Sequence, residues 1–305
     1  LGALFVDPGD IVLHPDLFWG NYRLVFEHAR DAQLTSYPLF HENGLDLDGF
    51  SKALQAGAPS QRRTVILNFP NNPTGYTPTR EEIPRLRDIL AETANKGYRL
   101  LVILDDAYYG LVYEENVYRE SLFAELADLH ENLLAVKVDG ATKEEYAWGF
   151  RVGFITYGIR GGNAALYAAL EEKTAGMLRG NISSASRLSQ SLILNALNDP
   201  AYMEERNSKF LLMRQRYREV RRILAKQAQA SRWFTPLPCN SGYFICLRLV
   251  QANAEAVRRR LLNHYDTGVI ALDGMIRIAF SSTPTHRLEE LFDNILSACS
   301  DLAAT

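Results

Sequence analysis

The stretch Leu67-Asn68-Phe69-Pro70-Asn71-Asn72-Pro73-Thr74-Gly75 is an apolar strand that runs into prolines, asparagines and a glycine. A charged helix start, Thr79-Arg80-Glu81-Glu82, follows within a few residues. Open α/β sheets bind ligands beyond the carboxyl ends of their strands, so a buried strand that stops in such a turn marks a candidate binding edge. The prolines remove backbone donors and lock the turn. The asparagines tolerate unusual backbone angles and offer amide groups to a ligand. Taken alone, these residues also describe a plain loop of turn formers.

Working outward, short apolar runs alternate with helical patterns, the rhythm of a mostly parallel sheet. Strands are expected over Ile11–His14, Val65–Asn68, Leu100–Leu104, Leu133–Val138 and Val152–Tyr157. Between Pro78 and Lys96 the apolar residues Ile83, Leu86, Ile89 and Leu90 recur at helical spacing. After Arg160 the pattern is largely helical to about residue 229, and it changes character near Ser231. Strands are then expected over Trp233–Leu237, Gly242–Leu249 and Ile276–Phe280, with helices over Asn253–Tyr265 and Thr285–Ala298. The expected fold class is α/β: a mostly parallel sheet flanked by helices, with a smaller C-terminal α+β domain. The large domain is expected over residues 1–205 and the small one, with a long connecting helix, over 206–305.

At 305 residues the chain is long for one core, which favours two domains. The formal net charge of −3 supplies no basic field for nucleic acid. No apolar run approaches the roughly 20 residues that span a bilayer, and no membrane association is expected. The three cysteines, Cys239, Cys246 and Cys299, form neither a disulfide framework nor a zinc spacing, which fits the cytoplasm. The six histidines, at positions 14, 28, 41, 130, 264 and 286, make no metal pair, and no metal is expected. The opening LGALFVDPGD reads as the middle of a helix running into a turn, so a preceding N-terminal segment is expected.

Two further stretches carry chemistry. In Leu101-Val102-Ile103-Leu104-Asp105-Asp106-Ala107-Tyr108 a hydrophobic strand ends in two carboxylates. A carboxylate there is costly unless a cation meets it, although a helix cap is the plainer account. In Val138-Asp139-Gly140-Ala141-Thr142-Lys143, followed by Glu144-Glu145-Tyr146-Ala147-Trp148-Gly149-Phe150-Arg151-Val152-Gly153, a lysine follows an apolar strand and an arginine sits near two glycines. Alone, Lys143 reads as a solvated surface lysine.

Together, NNPTG, DDAY and TKEEYAWGFRVG resemble the class I/II aminotransferases, the fold-type I enzymes that use pyridoxal 5′-phosphate, in order and separation. The resemblance runs through essentially the whole chain. It implies a homodimer, and an amino acid and a 2-oxo acid as substrates exchanging an amino group in ping-pong fashion. Lys143 matches the family's Schiff-base lysine, which also moves the α-proton. Asp105 matches the partner of the pyridine nitrogen. Tyr108 and Asn72 match the groups that hydrogen-bond the cofactor's phenolic oxygen. Arg151 matches the phosphate-binding arginine, and Thr142 supplies a hydroxyl beside the lysine. In His14-Pro15-Asp16-Leu17-Phe18-Trp19, Trp19 is the choice for the aromatic that stacks on the cofactor ring, with Phe18 next and core packing the plainer account. Arg277, mid-strand in Met275-Ile276-Arg277-Ile278, matches the arginine that grips the substrate carboxylate, where a bidentate pair would offset the cost of a buried charge.

Departures from the family pattern are equally visible. The hydroxyl usually found three residues before the lysine is replaced by Gly140, and the glycine-rich phosphate loop would lie upstream of Leu1. Two other readings remain open: a carbon–sulfur β-lyase on the same scaffold, and a non-catalytic aminotransferase-like sensor domain.

Overall fold

Residues 1–59, 62–227 and 232–303 are described by a computed structural model. The chain divides into two units. The first comprises Leu1–Pro70, Thr77–Val112 and Asn116–Asp199, and the second Asn71–Tyr76, Tyr113–Glu115 and Pro200–Thr305.

The first unit opens with a one-turn helix α1 (Gly2–Phe5), strand β1 (Ile11–Pro15) and a π-helical turn over Arg23–His28. Strand β2 (Gln33–Tyr37), the small hairpin β3 (Phe40–His41) and β4 (Gly44–Leu45), and helix α2 (Leu47–Leu54) follow. Next come β5 (Arg62–Asn68), α3 (Glu82–Asn95), β6 (Arg99–Asp105), the short α4 (Phe123–Leu126) and β7 (Leu133–Asp139). Strand β8 (Phe154–Gly158) and helices α5 (Ala164–Ile182) and α6 (Arg187–Leu197) complete it. Six strands form one sheet in the order β2-β1-β5-β6-β7-β8. All neighbours are parallel except β7 and β8. The chain turns straight back between Asp139 and Phe154 rather than crossing over, which makes β8 antiparallel.

The central strands β5 and β6 are buried nearly end to end, as expected for strands covered on both faces. Val12, Ile66, Leu101, Ile103 and Val136 form one face of the core with Tyr22 and Phe26. Helix α3 buries Ile83, Leu86, Ile89 and Leu90, the stripe its spacing predicts. β1 is followed by β2 on one side and has β5 on the other, so the strand order reverses between β1 and β5. In such sheets the crevice beyond the carboxyl ends at the reversal is where ligands bind.

In the second unit, helix α7 (Tyr202–Lys226) leads to β9 (Phe234–Pro236), β10 (Ile245–Leu249) and α8 (Ala254–Tyr265). Strands β11 (Ile270–Leu272) and β12 (Met275–Ile278) and helix α9 (Leu288–Ala303) follow. The antiparallel sheet runs β11-β12-β10-β9.

The α/β class and the mostly parallel sheet agree with the sequence expectation, and differences are local. The strand expected from Val152 begins at Phe154, because Val152 and Gly153 lie in the returning loop against Gly140. Strand β2 was not expected; Gln33, Thr35 and Ser36 give it no apolar run to read. Strand β11 is too short to signal itself. The change of character expected near Ser231 falls outside the described residues. No described helix is long and apolar enough to cross a membrane.

Candidate active site

Asp105 is the last residue of β6, in register with Asn68 of β5 and Val138 of β7. Asn68 donates from Nδ2 to the Asp105 carbonyl at 2.7 Å, which fixes the strand end. The Asp105 carboxylate accepts from the Tyr22 phenol on Oδ2 and from the Ala107 N–H on Oδ1, the latter at 3.2 Å. Burial pushes its carboxyl above the usual carboxylate range, against these two hydrogen bonds and the positive charge of Lys143.

Lys143 lies in the loop between β7 and β8. That loop is anchored by Ala141 and Val152, which pack with Ile193 and Ala147. Its ammonium stands 5.1 Å from the centre of the Tyr108 ring, within cation–π range. Burial holds the amine below the usual lysine range; the Asp105 charge opposes this and the Arg151 charge adds to it. The three groups thus share one field. Arg151 is exposed and donates from an Nη to the Trp148 carbonyl at 3.3 Å. Tyr146 and Arg151 hold φ of 54° and 57°, left-handed conformations that cost a non-glycine residue roughly 1 kcal/mol or more.

Gly140, where the family pattern has a hydroxyl, has a physical reason to be glycine. A Cβ there would stand 2.5 Å from the Val152 carbonyl oxygen. Thr142 is partly exposed beside the lysine. Trp19 is 42% exposed and meets Tyr22 edge-on at 5.7 Å. It is therefore not a core aromatic, whereas Phe18 packs against the core and onto His14 at 4.2 Å. Asp106 is buried and accepts from Ser121 Oγ at 2.5 Å; burial raises its carboxyl to about 7.

Asn72 and Arg277 belong to the second unit. Arg277 of β12 donates to Asn72 Oδ1 at 2.7 Å, and its guanidinium lies 4.1 Å from the Phe244 ring centre. These contacts explain how a mid-strand arginine is tolerated. The NNPTG turn is fastened to the same unit. The backbone N–H groups of Asn240 and Ser241 donate to the Gly75 carbonyl at 3.0 and 2.9 Å. Ser241 Oγ donates to it as well, at 3.0 Å, and Cys246 Sγ donates to the Pro73 carbonyl at 3.3 Å. Gly75 has φ of +73°, and a Cβ would come within 2.2 Å of the Phe244 oxygen.

The structure thus gathers Asp105, Tyr108, Lys143 and Arg151 in the first unit and pairs Asn72 with Arg277 in the second. Sequence reasoning missed Tyr22 and Phe244. Tyr22 follows Trp19 closely, and nothing in a single buried tyrosine distinguishes a carboxylate partner from a core residue.

A family model described as "Aminotransferase class I and II" matches residues 1–295. An aspartate aminotransferase of Musicola paradisiaca is 31% identical over 159 residues, 50% of this chain and 37% of the relative. An LL-diaminopimelate aminotransferase of Desulforudis audaxviator is 30% identical over 201 residues, 64% of this chain and 45% of the relative. The matched part of the chain therefore spans less than half the length of either. The crystal structure of an aminotransferase from Anaerococcus prevotii superposes with a TM-score of 0.84. It covers 96% of this chain and 70% of that one, and at 21% identity it shows the shared fold. With a site-bearing loop after β7, a carboxylate ending β6 and the matching family model over nearly its whole length, the chain belongs to the aminotransferase class I and II family.

Proposed function

We propose that the chain is a pyridoxal-phosphate-dependent aminotransferase that moves an amino group between an L-amino acid and a 2-oxo acid in two half-reactions. The observation that carries this reading is the placement of the partly buried Lys143 in the loop after β7, its ammonium 5.1 Å from the Tyr108 ring centre and in the field of Asp105 and Arg151. A lysine whose basicity burial lowers reaches its neutral, nucleophilic form more readily than a solvated one.

The donor set suits the cofactor. Asp105 has one protein donor on each oxygen, which leaves acceptor capacity for a protonated ring nitrogen. Arg151 offers a planar fork to a phosphate. The exposed Trp19 ring offers a stacking face, and Tyr108 and Thr142 offer polar groups; the role of Asn72 rests on its motif alone. When bound, pyridoxal phosphate supplies the electron sink for charge developing at the substrate α-carbon. Lys143 holds the cofactor and then carries the proton to and from the α-carbon on Nζ. Asp105 keeps the ring nitrogen protonated. Arg277, oriented by Asn72, binds the substrate carboxylate in bidentate fashion. The proposal includes a homodimer working in the cytoplasm. Exposed apolar residues on α5 and α6, and three cysteines that are all buried and unpaired, support those two parts.

The test is chemical trapping. Borohydride treatment of the chain with pyridoxal phosphate should place one pyridoxyl label on the peptide carrying Lys143, read by mass spectrometry. Lys143→Ala should take up none. A label elsewhere, or equal labelling in the variant, overturns the assignment.

A further inference from the structure

We infer that Tyr22 is a positioning residue, whose phenol O–H fixes the Asp105 carboxylate at the end of β6. The two residues stand far apart in the chain, and the bond is short, 2.5 Å from Oη to Oδ2. Tyr22 is 6% exposed and cannot swing away. Its ring stacks near Phe18 at 6.3 Å, meets Trp19 edge-on at 5.7 Å and meets Phe26 at 6.4 Å. Its backbone N–H donates to the Trp19 carbonyl at 3.0 Å, locking the turn that carries both aromatics.

The bond does two things. With the Ala107 N–H on the other oxygen, it pins the plane of a carboxylate that could otherwise rotate. It also supplies an O–H donor to the charged form, the kind of hydrogen bond that favours ionisation and opposes the effect of burial. The donor is permanent. Burial first, then the Asp105 charge and hydrogen bond, then Tyr108, push the Tyr22 phenol well above its ordinary range, so it stays protonated at any working pH. Two other titratable groups act on the pair: Lys143, which also favours the carboxylate, and the neighbouring buried Asp106, whose charge is coupled to that of Asp105. Tyr22 thereby ties the placement of Trp19 to the orientation of Asp105. Its bearing on pyridoxal phosphate rests on the function proposed above; the Tyr22–Asp105 pairing does not.

The experiment uses the full chain labelled at the aspartate carboxyl carbons, followed by NMR across pH, with Asp105 assigned by its loss in Asp105→Asn. In Tyr22→Phe, which keeps the ring and its packing, the Asp105 carboxyl should protonate at higher pH than in the wild type; an unchanged titration overturns the inference. Should Tyr22→Phe fail to fold, the ζ-carbon shift of Tyr22 at neutral pH supplies the second measurement. It should move between wild type and Asp105→Asn, and no movement is again fatal. Pyridoxal phosphate affinity is then compared, with about a tenfold loss expected in Tyr22→Phe for one charge-assisted hydrogen bond. Unchanged affinity overturns the positioning role. A wild-type chain that takes up no cofactor overturns the proposed function while the carboxyl titration still decides the pairing.

Discussion

Gly75 shows how strictly one residue can be specified. Its φ of +73° is costly for any side chain, and the space a Cβ would need is taken by the Phe244 and Ser241 carbonyl oxygens at 2.2 and 2.7 Å. Gly75→Ala should lower the stability of the second unit by at least about 1–3 kcal/mol, seen as a lower urea midpoint. Asp106 is specified differently. Its folded-state carboxyl titrates at about 7, far above the unfolded value, because burial outweighs the Ser121 hydrogen bond and the Lys137 charge. The sign follows from linkage. Below the unfolded pKa both states are protonated and Asp106 costs nothing; as pH rises toward 7 the unfolded chain gains by ionising, and stability falls. Asp106→Asn should therefore be more stable than wild type at pH 8, by on the order of a few kcal/mol, with the difference vanishing near pH 4. Thermal unfolding at both pH values checks it; equal midpoints at pH 8 would falsify the burial argument.

At the scale of elements, helix starts follow rules a sequence displays. Asn253 caps α8 by accepting the Ala256 N–H at 3.0 Å, and Asn163 caps α5 by accepting that of Leu166 at the same distance. Asn253→Ala should cost about 1 kcal/mol, measurable by denaturant unfolding and unaccompanied by any change in cofactor uptake. Elements with a strong period are legible in the amino-acid sequence: β5, β6 and β7 as apolar runs, α3 as a stripe. Elements whose stability comes from pairing alone are not, as Gln33–Tyr37 and Ile270–Leu272 show. The same divide holds in the site. Lys143, Asp105 and Arg151 are legible only through DDAY and TKEEYAWGFRVG, motifs that resemble the family's; taken alone, the lysine reads as a surface residue and the aspartate as a cap. Tyr22 is not legible, because its importance lies in a partner distant in sequence, and only folding reveals that partner.

For the whole molecule, the distribution of apolar surface is informative. Leu170 is buried in α5 and Ile193 in α6, while Leu166, Met177, Leu178, Ile182, Leu188 and Leu194 are exposed, as is Phe154 on the edge strand β8. Scattered apolar residues need no explanation, but so many on elements consecutive in the chain support the proposed dimer. Sedimentation of the chain should give a dimer at micromolar concentration, and Leu188→Glu with Leu194→Glu should shift it toward monomer. A wild-type monomer would remove the dimer from the proposal. The path of the chain has its own consequence. Residues 71–76 and 113–115 belong to the second unit, although most of that unit comes after Pro200. Anyone grafting this C-terminal part onto a relative by one junction near residue 200 would leave Asn240, Ser241 and Arg277 facing a foreign turn. A working chimaera must carry the early loops along with it.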